Sequence, residues 1–258
     1  MSEGGGGGRK PAPAALTDAP PRPRRYTCGA VDRLALFDID CTLIDTHGAG
    51  GRAIMRAMTE TYGRWGPLDD YSYHGRTDPQ IVRDLVLKAG VSEEEVEAGL
   101  DDCLDLYVRL LRGEVRDGSV EVLPGVRELL TALDADQRVV VGLLTGNLIG
   151  GAGVKLGPTG LIGFFNVGAY GSDSSHRPDL VEVAVRRAAE LVGRRFAGKE
   201  VAVIGDTPAD VTCGAALGAK AIAVATGIHG RDELAAHGPD YLFDDLSDWR
   251  GVYAAILA

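Results

Sequence analysis

The segment Arg33-Leu-Ala-Leu-Phe-Asp38-Ile-Asp40-Cys-Thr42 decides the fold. Residues 33–37 are a short, nearly continuous apolar run, which is typical of a strand buried on both faces of a parallel sheet. Two aspartates follow where this strand is expected to pass into a loop. Aspartate is unfavourable in strands and costly to bury unpaired, so the pair indicates either a bound cation or an Asx turn that ends the strand.

A second acidic segment has the same form. Residues 201–204 read Val-Ala-Val-Ile and are followed by Gly205-Asp206-Thr-Pro-Ala-Asp210. Gly205 permits a sharp turn after the predicted strand, and Pro208 suits the first turn of the next helix. Asp206 and Asp210 are therefore candidate metal ligands, with a simple helix N-cap as the alternative.

Two further polar segments follow predicted strands. Thr145-Gly146-Asn147 follows residues 139–144, and its hydroxyl and backbone NH groups are suited to binding a phosphate oxygen at a helix N-terminus. Arg177 lies in the polar loop 173–179 and presents a fork of donors that matches phosphate geometry. Helix capping and an ordinary surface arginine remain the alternatives for these two segments.

The order of predicted elements indicates an α/β fold. Strands are predicted at residues 33–37, 139–144, 167–170, 201–204, 221–225 and 241–243. The helices that alternate with them are predicted at residues 125–133, 148–156, 180–191, 209–217 and 247–257. This alternation predicts a parallel sheet covered on both faces, with ligand chemistry at the carboxyl ends of its strands.

A purely helical stretch is predicted to interrupt this pattern. Helices are expected at residues 48–62, 79–88 and 92–111, with Ser92 and Glu95 as a capping box, and no strand is expected between Asp38 and Val120. The predicted division is a disordered tail over 1–30, a core made of 31–47 and 121–258, and a helical insertion over 48–120. The insertion is expected above the edge that carries the acidic residues.

Composition excludes several classes of protein. The net charge of −10 argues against a general nucleic-acid binder, which needs clustered lysine and arginine. No apolar run resembles a signal peptide or approaches the roughly 20 residues of a membrane span, so we expect a protein without membrane association. The cysteines lack metal-site spacing, and reduced thiols in a cytoplasmic protein are expected at Cys28, Cys41, Cys103 and Cys213.

The acidic residues at the strand ends indicate a metal. Asp38, Asp40, Asp206 and Asp210 would converge at one sheet edge, where their charges repel and raise their pKa values unless a cation is present. A hard, oxygen-liganded ion compensates such a cluster. Mg²⁺ fits this set of carboxylates better than zinc does.

The four segments resemble, in order and spacing, the motifs of the haloacid dehalogenase superfamily of phosphotransferases. The first motif corresponds to 38–42, the second to Thr145, the third to Arg177 and the fourth to 205–210, within a resemblance that covers residues 32–245. The resemblance implies a Rossmann-like core and an inserted all-helical cap domain that closes over the site.

The resemblance also implies roles for the site residues. Asp38 would attack phosphorus and form an aspartyl phosphate, while Asp40 would protonate the leaving oxygen and then activate water. Asp38, Asp206 and the backbone carbonyl of Asp40 would hold Mg²⁺, with Asp210 at or next to the metal. Thr145 and Arg177 would bind the phosphoryl group. Lysine is usual in the third motif, so Lys155 and Lys199 are alternatives to Arg177.

Further residues are predicted to bind the phosphate or the rest of the substrate. Thr42, Gly146 and Asn147 are assigned to phosphate or substrate binding. The segment Tyr73-His-Gly-Arg76-Thr77-Asp78 is similar to the substrate-facing element of phosphoglycolate phosphatase and β-phosphoglucomutase relatives. Arg76 and Thr77 are therefore predicted to contact the leaving group. A helix N-cap at Thr77 or Asp78 is the alternative.

The predicted function is an Mg²⁺-dependent phosphatase that hydrolyses a small phosphomonoester. The carbon–halogen hydrolases of the superfamily lack the second aspartate of the first motif, so Asp40 argues against a dehalogenase. A phosphomutase that retains the phosphoryl group on a second hydroxyl remains an alternative. A phosphate-responsive module like a receiver domain is a weaker one, because receivers are about half this length.

Overall fold

A parallel β-sheet lies at the centre of the structure, a computed structural model that describes residues 31–69, 71–116 and 119–258. The predicted tail over 1–30 lies outside these residues. Within them, six parallel strands form one sheet in the order β5-β4-β1-β6-β7-β8. Their bounds, with the short pair β2 and β3, are β1 Arg33–Phe37, β2 Ile44–Asp45, β3 Glu121–Val122, β4 Val139–Leu144, β5 Val167–Ala169, β6 Val201–Gly205, β7 Lys220–Val224 and β8 Tyr241–Phe243.

Helices cover both faces of the sheet, as the apolar character of its strands requires. In β1, Ala35 and Phe37 pack towards one face and Leu34 and Leu36 towards the other. The helices are α1 Ala49–Tyr62, α2 Asp78–Lys88, α3 Glu93–Glu114, α4 Val126–Ala135, α5 Ile149–Leu156, α6 Arg177–Val192, α7 Pro208–Cys213, α8 Arg231–Ala236 and α9 Trp249–Leu257. Residues of α4, α5 and α9 join the first cluster, and residues of α6 join the second.

The inserted helices α1 to α3 pack around a hydrophobic cluster of their own, in which Met58, Val82 and Cys103 are fully buried. The predicted capping box is confirmed at the start of α3, where Ser92 and Glu95 bond reciprocally. We call α1 to α3 and the loops that join them the cap. The exact domain boundaries stay a prediction.

The prediction that no strand lies between Asp38 and Val120 is wrong. The two residues of β2 pair antiparallel with β3, matching Ile44 to Val122 and Asp45 to Glu121. This pairing ties together the segment that enters the cap and the segment that leaves it. Two residues are too few to show an alternating pattern, so periodicity could not have found this strand.

The core elements otherwise follow the prediction, with informative differences. Helix α6 begins at Arg177 rather than at 180, so the arginine belongs to a helix and not to a loop. The predicted helix over 209–217 divides into α7 and a 3-10 turn at Ala215–Leu217. Helix α8 was not predicted, since a single buried side chain, Leu234, gives it no apolar period. No helix in the described part of the chain combines the length and the apolar character that crossing a membrane requires.

Candidate active site

Adjacent strands bring the predicted catalytic residues to one edge of the sheet. Asp38 directly follows β1, which lies between β4 and β6. Thr145 follows β4, and Asp206 follows β6. The carboxyl ends of these parallel strands therefore meet, as the sequence predicted. The cap lies above the same edge, and residues of both parts line one cavity.

Three buried carboxylates form a cluster at this edge. Oxygens of Asp38, Asp206 and Asp210 lie within 4.8 Å of one another. Burial raises the pKa of Asp38 to about 7, with further increases from Asp210 and Asp40 that Arg177 partly offsets. Burial and the neighbouring Asp210 and Asp38 raise the pKa of Asp206 to about 8. A bound cation would favour the ionised form of each carboxyl.

Asp206 has one oxygen bonded and one without a partner. Thr42 donates from Oγ1 to Oδ1 of Asp206 over 3.2 Å. Asp206 Oδ2 is buried and accepts no hydrogen bond from the described residues. Thr42 thus orients a predicted metal ligand and is not among the residues that line the cavity, and its assignment to phosphate or substrate binding stays a prediction.

Asp210 links the cluster to Arg177 and to helix α7. Its Oδ2 accepts from the backbone NH of Thr207 at 3.1 Å and from the Thr207 hydroxyl at 2.6 Å. Its Oδ1 accepts from Nη2 of Arg177, and the same Nη2 lies 3.3 Å from Asp38 Oδ1. The predicted alternative for this segment, a helix cap, is therefore present together with the carboxylate cluster. Arg177 is buried beside the predicted nucleophile, where its Nε has no hydrogen-bond partner among the described residues.

A second buried cation, Lys155 of α5, holds Asp40. Lys155 Nζ donates to the two carboxylate oxygens of Asp40 at 2.9 and 2.6 Å and to Oδ1 of Asn147 at 2.6 Å. Asn147 in turn donates from Nδ2 to Asp40 at 2.8 Å and to the Thr145 hydroxyl at 2.8 Å. The sequence offered Lys155 only as an alternative to Arg177, whereas both lie in the site. The other alternative, Lys199, is exposed and pairs with Asp240.

The contact between Asp40 and Lys155 favours the charged form of each group. Burial alone would raise the pKa of Asp40, but the Lys155 ammonium and the hydrogen bonds from Lys155 and Asn147 outweigh it and lower that pKa. Burial would likewise lower the pKa of Lys155, yet Asp40 and Asp78 raise it overall. The Asp40 side chain is thus occupied outside the carboxylate cluster, which leaves the predicted metal contact to its backbone carbonyl.

The start of α2 in the cap is fastened to the loop that follows β4. The backbone NH of Asp78 donates to Gly146 O at 2.8 Å, and Leu148 NH donates to Asp78 Oδ2 at 2.8 Å. Thr77 Oγ1 donates to Ser175 O at 2.8 Å. A Cβ at Gly146 would lie 2.1 Å from the carbonyl oxygen of Arg76, so this close approach requires glycine.

The predicted roles of Arg76 and Thr77 in substrate binding stay predictions, and the structure places the two side chains differently. Thr77 is the N-cap of α2, accepts from Gln80 NH and is not among the cavity-lining residues, so the capping alternative describes it. Arg76 borders the cavity, but its Nη1 donates to Asp84 at 3.0 Å and its Nε to Ser72 O at 2.9 Å. Both side chains therefore already have hydrogen-bond partners within the protein.

Comparison with known proteins identifies the family of this chain. The sequence model described as haloacid dehalogenase-like hydrolase matches residues 35–224. A phosphoglycolate phosphatase of Synechococcus elongatus is 29% identical over 222 residues, covering 83% of this chain and 93% of the relative. The pyrophosphatase PpaX of Bacillus velezensis is 29% identical over 220 residues, covering 83% and 92%.

A solved structure supports the fold independently. A putative β-phosphoglucomutase from Bacteroides vulgatus superposes with a TM-score of 0.63 at 21% identity, over 88% of this chain and 90% of that one. The chain thus has an α/β Rossmann-like core with an inserted helical cap. It belongs to the haloacid dehalogenase-like hydrolase family, and it is an enzyme, a hydrolase.

Proposed function

We propose that the enzyme is an Mg²⁺-dependent phosphatase that hydrolyses a small phosphomonoester through an aspartyl phosphate on Asp38. One observation carries the proposal. Among the described residues, the buried side-chain polar atoms without a hydrogen-bond partner are Asp206 Oδ2 and Arg177 Nε. Buried polar atoms are nearly always satisfied, so an unpaired acceptor calls for a cation and an unpaired donor calls for an anion. A metal ion with a phosphate ester supplies both.

The residues at the carboxylate cluster fit a hard divalent cation. Asp38 and Asp206 would hold it together with the backbone carbonyl of Asp40, since carboxylate and carbonyl oxygens are the ligands that Mg²⁺ prefers. Asp210 is already engaged by Arg177 and Thr207, so it supports the ligands from beside the metal. When bound, Mg²⁺ supplies positive charge that offsets the carboxylates and the phosphate oxygens.

The chemistry is divided between two aspartates. Asp40 takes up a proton from solvent as the ester binds. Asp38 Oδ then attacks phosphorus, the bond to the ester oxygen breaks, and Asp40 donates that proton to the oxygen as the alcohol leaves. Water then gives a proton to Asp40 and attacks the aspartyl phosphate, which releases phosphate and restores Asp38. Lys155 and Asn147 hold Asp40 in place through both steps. The lysine also favours the ionised form that the second step needs.

The phosphoryl group would be held by the remaining residues of the site. The buried Thr145 and Asn147, with the backbone at Gly146, follow β4 and face the cavity beside Asp38. Arg177 offsets charge on the transferring group. The relatives named phosphoglycolate phosphatase and pyrophosphatase support a small phosphate compound as substrate. The net charge of −10 supports a substrate other than nucleic acid.

Substitution of the nucleophile tests the reaction. We expect the parent protein with Mg²⁺ to release inorganic phosphate from members of a panel of phosphate esters, and Asp38→Asn to release none. Phosphate release by Asp38→Asn at the parent rate would refute the mechanism. Transfer of the phosphoryl group to a second substrate hydroxyl, without free phosphate, would identify a phosphomutase instead.

A further inference from the structure

We propose that the enzyme prefers phosphate monoesters whose leaving group is uncharged and mainly apolar, a specificity that depends on the phosphatase function proposed above. A cavity of about 170 Å³ lies between the sheet edge and the cap. Its floor is the catalytic end, with Asp38, Thr145 and Arg177. Its cap side is where the leaving group of an ester attacked by Asp38 would lie.

The cap side of the cavity is predominantly apolar. Ile54 and Met55 of α1 and Ile81 and Leu85 of α2 contribute to its wall. Tyr73 and His74 add a stacked pair of rings, with centroids 4.6 Å apart and planes inclined by 24°. Such a wall gains free energy by covering apolar groups, and its four aliphatic side chains offer an anion no hydrogen bond.

Each arginine or lysine that lines the described cavity already has an acidic partner. Lys155 donates to Asp40, and Arg177 contacts Asp38 and Asp210. Arg76 pairs with Asp84, and its guanidinium carbon lies 4.9 Å from the centroid of the Tyr71 ring. None of these cations is left to pair with a second negative charge on the substrate.

The remaining charges disfavour an anionic leaving group. His74 is partly buried, and burial together with the nearby His229 outweighs the effect of Asp40 and lowers the pKa of His74, which favours the neutral ring. Asp45 and Asp78 line the cavity in addition to the catalytic aspartates. A carboxylate or second phosphate on the leaving group would thus be desolvated among like charges, which is unfavourable. Phosphoglycolate and pyrophosphate each carry a second negative charge, and among the described residues the leaving-group side of this cavity has no cation free to pair with it.

A pair of esters with the same shape tests the inference. In isobutyl phosphate, two methyl groups stand where phosphoglycolate has its two carboxylate oxygens, so the leaving groups differ mainly in charge. With Mg²⁺ and the full-length protein, we expect kcat/KM for isobutyl phosphate to exceed that for phosphoglycolate by at least about tenfold. Equal values, or a preference for phosphoglycolate or pyrophosphate, would overturn the specificity and leave the phosphatase function standing. Release of phosphate from no ester in the panel would overturn both.

A charge placed on the apolar wall provides a second test. Lysine is close to methionine in length, so Met55→Lys adds a cation with little change in volume, and Met55→Leu is the uncharged control. We expect Met55→Lys to raise the ratio of kcat/KM for phosphoglycolate to that for isobutyl phosphate at least about tenfold, while Met55→Leu keeps the parent's order of preference. Thermal melting establishes that each variant is folded. A folded Met55→Lys protein with an unchanged ratio would contradict the inference.

Discussion

Lys155 gives Asp40 a buried ionic partner from a neighbouring helix, and this contact sets where the proposed acid and base lies. Removing the ammonium would leave the carboxylate without its main compensating charge. Because a displacement of about 1 Å can cost roughly 100-fold in rate, we expect Lys155→Met to lower kcat by about 10- to 100-fold.

Lys199 provides a matched control for that substitution. It is exposed and pairs with Asp240 away from the site, so Lys199→Met should keep the parent kcat. Steady-state phosphate release, with thermal melting to establish folding, measures both variants. Parent-like turnover by Lys155→Met would show that Asp40 does not need this partner.

Some residues of the candidate site can be predicted from the sequence, and some of their contacts cannot. Asp38 and Asp206 were predicted as site residues because a carboxylate at the end of a buried strand has a recognisable pattern. The contact between Lys155 and Asp40 joins residues that are 115 positions apart, and no local pattern encodes it. Asn147 lies two residues before α5 and Lys155 lies in its last turn, so no helical spacing joined the two in the sequence.

Helix α2 meets the loop after β4 at a distance that only glycine allows. A Cβ at Gly146 would lie 2.1 Å from the Arg76 carbonyl oxygen, and backbone cannot yield as a flexible side chain can. Gly146→Ala should therefore push the start of α2 away from the phosphate loop. We expect kcat/KM to fall by about tenfold or more and stability to fall by about 1–3 kcal/mol.

Gly163 offers the corresponding control, since a Cβ there would meet no atom within 4 Å. Gly163→Ala should keep the parent kcat/KM and melting temperature. Hydrogen exchange at residues 76–78 measures the contact directly, and we expect it to accelerate in Gly146→Ala alone. Unchanged exchange there would mean that the loop absorbs the methyl group.

The turn between α4 and β4 is fastened by Asp136. Its carboxylate accepts from Arg138 Nη2 at 2.7 Å and from the Tyr253 hydroxyl of α9 at 2.6 Å. The hydrogen bonds from Arg138 and Tyr253 hold the pKa of Asp136 well below its usual range. The stabilisation is thus complete above the unfolded pKa of about 3.9 and is lost as pH falls below it.

Asp136→Asn should accordingly lower the melting temperature by about 2–4 °C at pH 7 and by less at pH 3. Melting curves at pH 7, 5 and 3 follow this difference between variant and parent. Asp102 lies on an exposed part of α3, so Asp102→Asn should have the melting temperature of the parent at all three pH values. If the melting temperature of Asp136→Asn lies as far below that of the parent at pH 3 as at pH 7, the proposed ionic contribution is excluded.

Strands and helices were predicted correctly where many buried side chains give the sequence a regular pattern of apolar residues. They were missed where few side chains are buried. Residues 139–144 form a strand with the predicted bounds, and all six are buried between the two helical layers. Residues 241–243 also have the predicted bounds, although they form a partly exposed edge strand. The pair β2–β3 has two residues in each strand, and α8 has one buried side chain. Tertiary contacts define such elements, so a pattern in the sequence cannot.

At the scale of the whole molecule, metal binding should couple to folding. Asp38 and Asp206 are buried carboxylates with raised pKa values, and a cation relieves the cost of ionising them. We expect Mg²⁺ at a hundred times its dissociation constant to raise the melting temperature by about 5–10 °C.

Loss of one proposed ligand isolates this effect. Asp206→Asn should remove the shift. Asp240→Asn alters contacts that lie away from the site, with Lys199 and with the backbone NH of Ala221, and should retain it. Scanning calorimetry with and without Mg²⁺ gives the comparison without any substrate. An Asp206→Asn protein that is stabilised as strongly as the parent would argue against a metal at this oxygen.

The short pairing of β2 with β3 has a consequence for engineering. Asp45 and Glu121 are register partners, so the chain leaves the core and returns to it through adjacent backbone positions. The residues between Asp45 and Glu121 could therefore be exchanged as one unit, because the two ends of this stretch lie side by side. Replacing this stretch with the corresponding stretch of a relative should exchange the cap, which would contact the leaving group. The parallel sheet that carries the catalytic aspartates should stay intact.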